Sequence, residues 1–310
     1  MKFVSRALHL FLATRPETLL ASACPVLLGT AIAFGDGVHN FSAAAWCLVT
    51  AVCLQAGTNV ANDFFDFKNG ADRHERSGFL RPEPLKDFPA WATKLFFALF
   101  FLIGALGVIH LSLKNGWGIA ALGALAIGSG FFYTAGPKPL GYFGLGDFLV
   151  FLFFGPVAVA GTYYVQSHEM NCAVLLAGVS PGLLANGILI INNIRDVRTD
   201  ALAKKKTSTV IFGKAFSQKH YLAAIFIACL LPLLIVLLID DHQPLIIAAL
   251  PVLLSIGIIP AIFEKTEEPA AMNQALAATG QMLLVFTILF SIGWNWEILS
   301  YLCKHQWNIF

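Results

Sequence analysis

NDFFDFKNGAD, residues 62–72, closes an apolar run that begins at Phe41. No charged residue occurs between Phe41 and Ala61; then Asp63, Asp66 and Asp72 arrive together. About 20 apolar residues are what a helix needs to cross a bilayer. Acids at the end of such a helix face two penalties. The helix macrodipole disfavours anions at a C-terminus, and ionisable groups near a membrane core cost about 2.5–3.5 kcal/mol each and mark functional positions.

The rest of the chain agrees with a membrane reading. Of 310 residues, 57% are hydrophobic and 12% charged, against about 25% charged in a typical soluble domain. Such a composition excludes an ordinary soluble enzyme, and no basic tract points to nucleic acid. Apolar segments recur at about 17–35, 41–66, 91–113, 117–135, 145–166, 171–196, 219–239, 243–263 and 273–293. The expected fold is therefore all-α: one polytopic bundle of nine transmembrane helices over residues 1–310, in contact with membrane lipid. Residues 1–16 read as an amphipathic lead-in, interrupted by Arg15. Two longer polar loops, 67–90 and 197–218, follow the second and sixth spans. All lysines and arginines except Lys114 and Lys304 fall on the side that holds the N-terminus and both loops. By the positive-inside rule that side is cytoplasmic, and the expected location is a bacterial inner membrane. The six cysteines show no zinc or CxxC spacing and read as packing residues.

A second stretch echoes the first. NNIRDVRTD, residues 192–200, ends the sixth span as NDFFD ends the second, with Asn four residues before Asp in both. At 100° per residue Asn59, Asn62, Asp63 and Asp66 share an arc of about 100°. Asn192, Asp196 and Asp200 also share one face. Carboxylates and amide oxygens clustered in this way are the hard ligands that Mg²⁺ prefers, and Mg²⁺ held by few carboxylates usually has phosphate as its other partner. Arg73, Arg81, Lys138 and Lys205 lie on the same side and could meet phosphate oxygens. Together these features point to a diphosphate site.

NVANDFFDFKNGAD (59–72) and NNIRDVRTD (192–200) resemble the two aspartate-rich motifs of the UbiA superfamily of intramembrane prenyltransferases, and nine spans with motifs after the second and sixth match its fold. Within that superfamily the likeness is to the enzymes acting on 1,4-dihydroxy-2-naphthoate in menaquinone formation. Benzoate-type enzymes read NDxxDxxxD; here Gly70 stands at the last acid and Asp72 follows. GLGDFLVFLFFGPVAVAGTYYVQ (144–166) and TSTVIFGK (207–214) are also similar to the naphthoate type. Lys204 departs from the pattern, which has glycine before the lysine matching Lys205.

The resemblance implies Mg²⁺ held by Asp63, Asp66, Asp196 and Asp200, with Asp72 assisting, against a polyprenyl diphosphate. Asn59, Asn62, Asn192 and Asn193 would order that shell. The diphosphate leaves, the dihydroxynaphthoate ring takes the prenyl group, and CO₂ is lost. Two alternatives stand beside this reading: a 4-hydroxybenzoate prenyltransferase of ubiquinone formation, and an ion-coupled membrane transporter. Transporters tend to place ionisable groups near the midplane on broken helices, whereas these acids gather at one membrane face.

Overall fold

The computed structural model describes residues 9–68, 88–136, 138–239 and 242–306. Asp72, Arg73 and Arg81 lie outside them. No strand occurs among the described residues, and the chain is an integral membrane protein of packed apolar helices.

Helix α1 (Pro16–Gly35) begins with proline, whose missing N–H is no loss at a first helical position. Helix α2 (Phe41–Lys68) returns and carries the first motif at its end. Helices α3 (Ala90–Asn115) and α4 (Trp117–Phe132) are joined by Gly116 alone, at φ +86°, a conformation that glycine adopts without steric cost. The fifth span is two helices, α5 (Gly146–Phe153) and α6 (Pro156–Ser167). Helix α7 (Cys172–Arg195) starts on an Asn171 side chain that accepts from the Val174 N–H at 2.9 Å.

The second polar loop holds two short helices, α8 (Val197–Leu202) and α9 (Ser208–Phe212). Helix α10 (Lys214–Ile239) follows. The eighth span opens as a 3₁₀ helix (Gln243–Leu254) and continues as α11 (Ser255–Phe263). Helices α12 (Pro269–Trp294) and α13 (Trp296–Gln306) complete the described chain.

Eight of the nine expected spans are long and apolar enough to cross a membrane. The fourth is shorter than its expected 117–135: α4 has 16 residues, or about 24 Å. After it Gly136 takes φ +92°, and the chain turns through a 3₁₀ segment, Leu140–Tyr142. The fifth span breaks at Gly155, before Pro156, whose missing N–H cannot continue the first helix, and its neighbour approaches there too closely for a side chain. A Cβ on Gly155 would lie 2.6 Å from the Gly178 carbonyl oxygen, and one on Gly182 would lie 2.5 Å from that of Phe151. The elbow thus packs on a glycine pair four residues apart in α7, the small-residue device of membrane helix contacts.

Burial sorts the helices. α7 is the most buried span. α3 exposes Leu95, Leu99, Leu102, Leu106, Ile109 and Leu113 along one stripe, spaced at alternate intervals of four and three, as one helix face facing lipid requires. Trp91 and Trp117, exposed at opposite ends of the α3–α4 hairpin, suit the two membrane interfaces. The main core joins α1, α6, α7, α10, α12 and the eighth span through residues such as Leu28, Leu184, Ile191, Tyr221 and Phe286. A phenylalanine cluster (Phe64, Phe65, Phe97, Phe131) stiffens the motif end of α2. α1 packs on both α2 and α7 and so spaces the two motif helices apart. That spacing leaves a cavity among the first six spans.

Candidate active site

The first motif is anchored from the chain's start. Arg15 precedes a proline, which disfavours the right-handed helical region, and it sits at φ +52°. From there its guanidinium pairs with Asp63. Asn59 donates to the Thr14 carbonyl oxygen at 2.8 Å and to the Thr18 hydroxyl oxygen at 3.0 Å, and accepts from Gln55 at 3.4 Å. Its amide is therefore a cross-link between α2 and α1. Asn62 lines the cavity, and its buried amide oxygen has no hydrogen-bond partner among the described residues.

Asp66 is 1% exposed. Tyr142, from the 3₁₀ turn after α4, donates to it at 3.2 Å, and the Lys205 Nζ lies 3.5 Å from its other oxygen. Lys205 lies five residues beyond Asp200, the last residue of the second motif. Asp200 sits in the short helix α8, and its carbonyl oxygen accepts the Lys205 N–H at 2.8 Å. Between them Lys204 adopts φ +58°, turning the chain back. The Lys205 ammonium ends 4.0 Å from the Asp200 carboxylate and 5.7 Å from the centroid of the Tyr142 ring. Asp66 and Asp200, one from each motif, thus flank a single buried cation.

Asp196 is held differently. Arg195 donates to both of its carboxylate oxygens, each at 2.8 Å, and also to Asn192 and to Asn273, the latter at 2.7 Å. Adjacent residues on a helix point apart, but Asp196 is the C-cap of α7 and its backbone has left the helix. Asn193 is buried on the cavity wall. Lys138 is exposed on its turn and makes no ion pair among the described residues.

Each of the four acids therefore faces a cation: Asp63 faces Arg15, Asp66 and Asp200 face Lys205, and Asp196 faces Arg195. Among the described residues no three acidic, histidine or cysteine side chains gather at one point. The donor chemistry nonetheless fits a hard cation. Asp66 and Asp200 already share a positive charge, and the partnerless amide oxygen of Asn62 is a further hard acceptor beside them. Arg15, Tyr142 and Arg195 did not emerge as site residues from the sequence. Their signals were slight: an Arg-Pro pair at the head of a span, and an arginine inside NNIRD.

A cavity of about 340 Å³ runs inward from this cluster. Its polar mouth carries Arg15, Asn59, Asn62, Asn192, Asn193 and Lys205. Deeper walls are apolar, including Leu54, Leu122, Phe153 and Ile188. Its far end reaches Val26, Cys47, Leu111 and Val165, which form a separate hydrophobic cluster. Along α2 the distance from Asn62 to Cys47 is about 22 Å.

At the same face, outside the spans, Arg198 pairs with Glu267 at 2.9 Å and Lys214 also pairs with it. The Lys214 hydrogen bond and charge hold the Glu267 carboxyl below the usual carboxylate range. Both Arg198 and Glu267 are well exposed, so this tie adds little stability.

Known proteins place this arrangement. Residues 22–278 match the UbiA prenyltransferase family. A relative from Haemophilus influenzae named 1,4-dihydroxy-2-naphthoate octaprenyltransferase is 33% identical, covering 94% of this chain and 97% of its own. The protein of the same name from Escherichia coli is 31% identical over 90% of this chain and 92% of its own. Among solved structures, a UbiA homologue from Archaeoglobus fulgidus bound to DMAPP and Mg²⁺ aligns with a TM-score of 0.61 at 16% identity, covering 92% of this chain and 98% of that one. A homologue from Aeropyrum pernix reaches 0.66 at 15% identity, over 87% and 96%. At such identities these structures speak for the fold alone. Paired aspartate motifs across one lysine, a polar-mouthed apolar cavity and a family match over most of the sequence have one meaning: the chain belongs to the UbiA prenyltransferase family.

Proposed function

We propose that this prenyltransferase moves a polyprenyl group from its diphosphate to 1,4-dihydroxy-2-naphthoate, giving a demethylmenaquinol. The bond from the allylic carbon to the diphosphate oxygen breaks, and a bond from that carbon to the ring forms. The ring's carboxylate leaves as CO₂, so the prenyl group replaces it overall, and diphosphate is the second product. The carrying observation is that Asp66 and Asp200 flank Lys205 at the mouth of an apolar cavity. The names of the Haemophilus and Escherichia relatives support the acceptor.

Residues of this chain divide the work. Asp63, Asp66, Asp196 and Asp200, with the Asn62 amide oxygen, would hold Mg²⁺. Bound there, the metal offsets the charge that develops on the leaving diphosphate. Lys205 and Arg15, both on the cavity lining, supply fixed positive charge to the same site. Asn59 and Tyr142 keep the two motif ends in register, Asn59 by tying α2 to α1 and Tyr142 by its bond to Asp66. The apolar cavity takes the prenyl tail and keeps water from the allylic carbon while it is cationic. The crowding of cations on the motif side supports a cytoplasmic active site in a bacterial inner membrane.

The test is pyrophosphate release by detergent-solubilised protein. Release from a polyprenyl diphosphate should require Mg²⁺ and the naphthoate together. Ion-driven uptake into vesicles without pyrophosphate release would replace this reading with the transporter.

A further inference from the structure

Three glycines line the cavity: Gly123, Gly130 and Gly161. A Cβ on Gly123 would lie 2.3 Å from Val108, and one on Gly130 would lie 2.6 Å from the Thr58 hydroxyl. Helix packing accounts for both. Gly161 differs, because a Cβ there would meet nothing within 4 Å. It sits inside α6 (Pro156–Ser167) with no positive φ to demand glycine. Glycine in a helix interior is among the least favourable choices, and alanine among the best. Neither packing nor backbone geometry therefore calls for glycine at this position.

Its place in the cavity supplies a reason. Thr162, the next residue, lines the cavity together with Cys47 at its far end. Val157, Gly161 and Val165 all line the wall at intervals of four, one face of the helix. Gly161 thus stands where the channel nears its floor of Val26, Cys47, Leu111 and Val165. The absent side chain widens the last part of the space that begins at Lys205.

We propose that Gly161 sets donor-length specificity: by leaving the deep end of the cavity open, it admits prenyl tails longer than the upper cavity can hold. The inference rests on the cavity being the prenyl-tail site of the proposed reaction. A side chain at 161 would project into the tail's path and leave the diphosphate end untouched.

The test compares wild type, Gly161→Ala and Gly161→Leu in membranes, with geranyl diphosphate and an all-trans octaprenyl diphosphate as donors. One misplaced apolar group in a hydrophobic pocket changes discrimination by about 10–200-fold. Gly161→Leu should therefore lower kcat/KM for the octaprenyl donor by at least about tenfold relative to the geranyl donor, with Gly161→Ala falling between. Thermal melting in detergent should show all three proteins folded. An equal fall with both donors, or no change with either, overturns the proposal while leaving the prenyl-transfer reading intact. A wild-type protein that uses neither donor removes that reading, and this proposal with it.

Discussion

The ammonium of Lys205 lies 3.5 Å from the carboxylate of Asp66, and both groups are almost fully buried. Asp66 ends α2 and Lys205 follows the turn after α8, so this pair joins the first motif to the segment that follows the second. Buried pairs owe their stability to good geometry and to hydrogen bonds on their other atoms. Here Tyr142 supplies one to Asp66, and Asp200 supplies a second anion to Lys205.

Substituting Lys205→Met should raise KM for the polyprenyl diphosphate more than KM for the acceptor. Losing one charged hydrogen bond to phosphate costs about 1.5–3 kcal/mol, or roughly 10- to 150-fold. Initial-rate kinetics with each substrate varied in turn provides the check. Equal changes in both constants would mean that Lys205 holds the fold and does not contact the donor.

Asp66→Asn and Asp196→Asn keep shape but remove charge. Each should abolish turnover while the protein remains folded and membrane-inserted, and added Mg²⁺ should not rescue it. Stripping divalent ions from the wild type with a chelator should have the same effect, reversed by Mg²⁺. Near wild-type rates in either variant across a Mg²⁺ titration would take that residue out of the metal shell.

Arg15 and Asp63 should behave as a coupled pair. Both side chains are largely buried, and breaking such a pair by removing one partner costs about 3–5 kcal/mol. Arg15→Ala and Asp63→Asn should each lower thermal stability in detergent. Their double variant should lose less than the sum, with an interaction energy above about 1 kcal/mol. Strict additivity would show the contact to be incidental.

Lys204 holds a left-handed backbone, φ +58°, which costs a side-chain-bearing residue about 1–2 kcal/mol. The resemblance to the family implies glycine there, and this left-handed turn supplies a physical reason for it. Lys204→Gly should raise stability by about 1 kcal/mol with activity retained. A loss of stability would mean that the Lys204 side chain makes a contact outweighing the backbone strain.

Much of the fold was legible because hydropathy and span length are local properties. The edges of α1, α2, α7 and the 3₁₀–α11 span fall within a residue or two of their expected limits. The fourth span ends at Phe132, three residues short of its expected limit, because the chain turns at Gly136 (φ +92°) and runs into the 3₁₀ segment, and hydropathy alone does not register such a turn. The motif acids were visible as acids out of place, and Asp66 and Asp200 do converge. Their partners were not visible. Arg15 reaches Asp63 across 48 positions, and the Arg-Pro pair at the head of the span marks a turn without naming the partner. Arg195 was only one basic residue among many until the cap geometry of Asp196 turned the two side chains together. The cavity was hidden for a related reason: lining and lipid-facing residues are equally apolar, and only packing tells Leu54 from Leu99.

The acceptor is the centre of the proposed function, and direct competition tests it. Membranes carrying this protein would receive one polyprenyl diphosphate with equal amounts of 1,4-dihydroxy-2-naphthoate and 4-hydroxybenzoate, and products would be identified by mass spectrometry. Pocket size alone discriminates by about 10–200-fold, and more where polar groups are left unpaired. The expected result is prenylated, decarboxylated naphthoquinol with little or no prenyl-hydroxybenzoate. A dominant prenyl-hydroxybenzoate product would contradict the naphthoate assignment.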